Sequence, residues 1–110
     1  MCKSKILVKS KIGHVHWCQK CKNFTVVFNN NMVGFKHKGL LHFKENLMAC
    51  YDYHLSKDHN HTKRSITFDT NFKGIRFLFS LEEVAELLAM IQSAELSHYL
   101  AGSDDTEELT

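Results

Sequence analysis

Proline is absent from this chain of 110 residues, and no apolar run in it approaches the ~20 residues of a membrane-spanning helix. The opening residues, Met1-Cys2-Lys3-Ser4-Lys5-Ile6-Leu7-Val8-Lys9, hold too short an apolar stretch for a signal peptide. That points to the cytoplasm, where thiols stay reduced. There is no Gly-rich phosphate loop, no nucleophile elbow and no pair of acids at a useful spacing. The sequence therefore points away from an enzyme. Basic residues are scarce in the second part: residues 65–110 hold Lys73 and Arg76 against nine acids, a balance of −7.

Residues 1–64 carry the opposite charge, twelve Lys or Arg against Glu45, Asp52 and Asp58, a balance of +9. A basic half favours an anionic partner such as nucleic acid or an acidic protein. The alternative is that the two halves face each other or stay solvated. No one helix or loop collects the bases, which favours the second reading. The length suits one core and not two, and 44% hydrophobic residues are ordinary for a folded domain.

The clearest local pattern lies in residues 65–100. Residues 65–69 alternate apolar and polar, as do 75–79 less strictly, with Asn71 and Gly74 between them to bend the backbone. Ser80-Leu81-Glu82-Glu83 then reads as a capping box, with Phe79 and Val84 placed as a hydrophobic staple. Leu81, Val84, Leu88 and Ile91 continue as a helical stripe, widened by Leu87 and Ala94. Such a stripe suits a core or a homodimer interface.

Upstream, residues 5–9 and 14–17 read as strands joined by a turn at residues 10–13. Residues 24–28 and 33–37 read as two more, turning at Asn29-Asn30-Asn31. Leu40, Phe43, Leu47 and Tyr51, joined by Met48 and Leu55, fall at helical spacing. A shift of forty residues places Phe28 on Phe68, Asn31 on Asn71 and Gly34 on Gly74, a possible tandem hairpin-helix repeat. The first unit lacks an N-cap like Ser80, so its helix should be the weaker by ~1 kcal/mol.

Cys18-x-x-Cys21 is the one local motif with chemistry. Two thiolates three residues apart on a tight turn can both reach one Zn²⁺ at ~2.3 Å. A redox CxxC sits where a strand enters a helix, whereas here strands flank it on both sides. Disulfide exchange is the weaker reading for that reason. If the first turn centres on Lys11 and Ile12, Cys2 comes level with Cys21 and supplies a third sulfur. The fourth ligand is then Cys50, His16 or water.

The histidines carry less. His14 and His16 share one face of a strand and suit either metal or solvent. His59-Asn60-His61 reads as a polar connector, and His98 suits the C-terminal dipole of the last helix.

With Cys2, Cys18-x-x-Cys21 and the strand at residues 24–28 in view, the first fifty residues resemble a family of short bacterial proteins of Bacteroidetes-type genomes. The shared pattern is an N-terminal Cys, a CxxC after a short strand ending in an aromatic, then a strand and an apolar helix. The resemblance implies no activity. The CxxC hairpin is also similar to one half of a zinc ribbon, whose second half is absent here.

The expectation is an α+β domain over residues 1–101, a mostly antiparallel sheet with two helices on one face. It comprises a CxxC hairpin (1–23) and hairpin-helix units (24–55 and 65–100), followed by an acidic, disordered tail (102–110). The expected role is a non-enzymatic interaction or regulatory module stabilised by zinc through Cys2, Cys18, Cys21 and Cys50. Nucleic-acid binding by residues 1–64 is the alternative.

Overall fold

The computed structural model describes residues 4–57, 60–70 and 73–100. The expectations for Cys2, His59, Asn71 and the tail at 102–110 lie outside the described residues. The chain runs β1 (Ser4–Lys9), β2 (Gly13–Cys18), β3 (Asn23–Phe28), β4 (Asn31–Phe35), α1 (His37–Leu55), β5 (Ile66–Asp69), β6 (Arg76–Phe79) and α2 (Leu81–Leu100). Strands β1 to β4 form an antiparallel meander in chain order, and β5 and β6 form a separate two-stranded sheet. This is the α+β architecture that the strand and helix periodicities imply.

Strand alternation decides which face is buried. Val15 on β2 and Phe24, Val26 and Phe28 on β3 are all fully buried. Helix α2 covers β1 and β2, α1 covers β3 and β4, and the two helices pack side by side. His14, His16, Thr25 and Val27 fall on the other face by the same alternation. The β5–β6 hairpin closes one end of the core, where Phe28 meets Phe77 and Phe79, and Phe43 meets Phe68.

Both helices bury a stripe, by different means. Helix α2 has the expected capping box: Glu83 N–H donates to Ser80 Oγ (3.0 Å) and Ser80 N–H to Glu83 Oε1 (2.9 Å). The staple residues Phe79 and Val84 are both buried, as are Leu81, Leu87, Met90, Ile91 and Ala94. Leu88 is only half-buried. Helix α1 has Lys36 at its N-cap with no side-chain cap bond and no acid in its first turn. Packing of Leu40, Phe43 and Leu47 holds it instead, each fully buried side chain contributing ~1.5–3 kcal/mol. Met48 and Leu55 do not join the stripe and are exposed at 42% and 46%.

Some boundaries differ from expectation. Helix α1 begins at His37, so β4 ends at Phe35. Asn31 opens β4, leaving a two-residue turn in which Asn29 takes a positive φ of 53°. The two hairpin-helix units share an order of elements but not a register. Phe28 pairs with Asn31, whereas Phe68 pairs with Phe77 across a longer connection. The forty-residue shift therefore does not superpose the two hairpins.

The charge halves meet within the molecule. Among the described residues, Lys11 pairs with Glu86 (3.3 Å), Lys44 with Glu95 (2.8 Å) and Arg64 with Glu83 (2.6 Å). Each joins a base of the first half to an acid of α2.

Candidate functional site

The CxxC occupies the hairpin turn between β2 and β3. Cys18 ends β2 opposite Asn23, and the loop closes through Lys22 N–H donating to Cys18 O (2.8 Å). Reversing the chain there puts Lys22 at φ 57°. For a residue other than glycine, this left-handed conformation costs roughly 1–2 kcal/mol. Cys21 N–H donates to Cys18 Sγ at 3.2 Å. No helix starts at this turn.

The turn is held from the side. Lys36, at the start of α1, donates its Nζ to Cys21 O (2.9 Å). Trp17 donates Nε1–H to Gln19 Oε1 (2.9 Å). The Trp17 ring lies against Phe24 and against His98 of α2, with centroids 4.7 and 4.4 Å away. His98 also meets Phe24 edge-on at 5.1 Å. Sequence reasoning placed His98 at a helix terminus and missed this aromatic cluster. The Trp17–His98 contact joins residues eighty-one apart in the chain, and no local pattern marks it.

Cys18 is buried; Cys21, exposed, and Cys50, half-buried, are outside any disulfide. Cys18 is disulfide-bonded in this structure, against the expectation of reduced thiols throughout. Cys50 does not share the hairpin with the other two. It lies fourteen positions along the chain from Lys36, the residue whose side chain reaches Cys21. At a rise of ~1.5 Å per residue, that separation is about 20 Å along the helix axis. In α1, Cys50 packs with Tyr51 against the buried core.

The geometry of the first hairpin also differs from a simple turn. Lys9 faces His14 and Val8 faces Val15, as a turn centred on Lys11 and Ile12 requires. The register then shifts between Ile6 and Val8, so Ser4 faces Cys18 and not Gln19. Among the described residues, no three His, Cys, Asp or Glu side chains gather so as to hold a metal ion. Within the CxxC hairpin they supply two sulfur positions.

His16 turns along the sheet face. Its Nδ1 lies 3.1 Å from Ser4 Oγ, and its Nε2 contacts His14 Nδ1. Partial burial, and secondarily the neighbouring His14, lower its pKa from the usual imidazole value. Among the described residues, no helix is long and apolar enough to cross a membrane.

No curated protein and no solved structure matches this chain. One family model, described as a family of unknown function (DUF6686), matches residues 1–107, and the chain belongs to that family.

Proposed function

We propose that this protein is a non-enzymatic interaction or regulatory module of the cytoplasm whose CxxC hairpin is stabilised by a bound Zn²⁺. The carrying observation is the turn itself. It sets two cysteines three residues apart between antiparallel strands, with the Cys21 N–H aimed at Cys18 Sγ. Once the Cys18 disulfide is reduced, that donor set suits the tetrahedral sulfur coordination of a structural zinc. Cys18 and Cys21 would hold the ion with Cys2, and water or a donor from a partner would complete the set. The reduced chain is the binding state, because zinc takes thiolates. The same reading takes the matched family to be the bacterial one with an N-terminal Cys and CxxC that the first fifty residues resemble.

The hairpin position of the CxxC weighs against disulfide exchange, which draws on a helix N-terminus to acidify one thiol. The ion pairs between the first half and α2 weigh against nucleic-acid binding, because they spend part of the basic excess internally.

Metal analysis of freshly purified, reduced protein tests the proposal. Zinc is expected in the wild type, with one equivalent per chain lost in Cys18→Ser and in Cys2→Ser. A stoichiometry near zero in the reduced wild type removes the metal from the account.

A further inference from the structure

The side of the four-stranded sheet away from the helices carries a second arrangement of metal-binding atoms. His14 and His16 alternate on β2, and their ring centroids are 4.4 Å apart. The rings are turned so that His14 Nδ1 and His16 Nε2 face each other in contact. Each neutral imidazole has one nitrogen with a free lone pair. In the contact, one ring's N–H faces the other ring's lone pair, and a cation can take the place of that proton.

The second nitrogen of His16 is also engaged. Ser4 Oγ lies 3.1 Å from His16 Nδ1, across the β1–β2 ladder. A polar partner on the far nitrogen is what fixes the tautomer and orientation of a metal-binding histidine. The bulge at Leu7 is what sets β1 in this register: without it, Ser4 would face Gln19 and not Cys18. Ile6 and Thr25 face His16 from the two neighbouring strands, while Lys9 and Val27 face His14. No carboxylate stands opposite either ring in those pairings.

We propose that His14 and His16 form a two-imidazole chelate for a borderline divalent transition ion such as Zn²⁺ or Ni²⁺. Ser4 acts as the positioning residue. Imidazole suits these ions, and at ~2.0–2.1 Å per Zn–N bond the two nitrogens need to part to about 3.3 Å across a tetrahedral ion. Two protein donors leave further coordination positions open to water or to a bound molecule. The site uses none of the cysteines and does not rest on the zinc hairpin. It takes His16 out of that hairpin's ligand set.

Zn²⁺ titration of the full reduced chain, followed by the imidazole ¹⁵N resonances, tests it. His14 Nδ1 and His16 Nε2 should shift saturably in the wild type and equally in Cys21→Ser. Each shift should vanish in His14→Gln and His16→Gln, while the amide spectrum shows the chain still folded. If a glutamine variant fails to fold, His16→Thr, with a residue favoured in strands, carries the same expectation. Ser4→Ala should weaken binding about tenfold. Shifts at neither nitrogen in the wild type overturn the proposal, as does unchanged uptake in a folded variant lacking both histidines. Loss of the histidine shifts in Cys21→Ser overturns the independence of the site. Persistence of those shifts in a chain whose cysteines hold no zinc leaves this proposal standing and the zinc hairpin refuted.

Discussion

Replacing Glu83 by alanine should destabilise the domain well beyond an ordinary surface substitution. Its carboxylate accepts from Ser80 N–H (2.9 Å), from Arg64 Nε (2.9 and 3.0 Å) and Nη2 (2.6 Å), and from Asn29 Nδ2 (3.4 Å). It thereby ties the start of α2 to the β3–β4 turn and to the connector before β5. Ser80 is 2% exposed, so removing its acceptor leaves a buried N–H unsatisfied. That costs ~1–3 kcal/mol. The Arg64 side chain is solvated, and its part of the interaction is weakened by water and salt. For a domain of this size, ~1 kcal/mol moves Tm by about 4–8 °C. Glu83→Ala should therefore lower Tm by roughly 5–20 °C. Glu83→Gln keeps an oxygen for Ser80 N–H and should lose less than half as much. Thermal unfolding followed by circular dichroism reads both. A loss in Glu83→Gln equal to that in Glu83→Ala would refute the orphaned donor as the cause.

The same carboxylate sets a pH dependence. The Arg64 hydrogen bonds, and more weakly Ser80 N–H, hold Glu83 below the usual carboxylate range although burial pushes it up. A depressed native value means that the stabilisation is complete above the unfolded-state value of ~4.3. It is lost as pH falls through the lower native value. Wild-type stability should fall more steeply across that acid range than that of Glu83→Gln.

The remaining predictions concern backbone space and charge. A Cβ at Gly13 would stand 1.8 Å from Val27 O, so Gly13→Ala should cost ~3 kcal/mol or prevent folding. Gly34 has its nearest atom at 4.0 Å, and Gly34→Ala should be neutral or mildly stabilising in denaturant unfolding. Lys44 and Glu95, 2.8 Å apart and both about three-quarters buried, bridge α1 and α2. A double-mutant cycle should give a coupling of ~0.5–1 kcal/mol that shrinks in high salt.

The sequence was most legible where the determining interactions are local. Ser80 and Glu83 lie one helical turn apart, and the capping box needs nothing distant to form. The alternation around the CxxC likewise sufficed to place it between strands. Long-range geometry was not legible. Nothing near Leu7 announces the shift that sets Ser4 opposite Cys18. Nothing near His98 announces Trp17. Met48 and Leu55 fit a helical period but sit off the side that meets the sheet, and the facing layer decides which side that is. Cys50 was drawn into the candidate site by its chemistry alone, since no local spacing relates it to the CxxC.

Helix α2 covers the first two strands, although it is the last of the described elements. A nascent chain emerging in order presents β1 and β2 long before their cover exists. Val15 and Trp17 stay wet until residues 81–100 have been made, so the opening hairpin cannot complete its burial before then. Shortening the chain from its C-terminal side should therefore undo its beginning first.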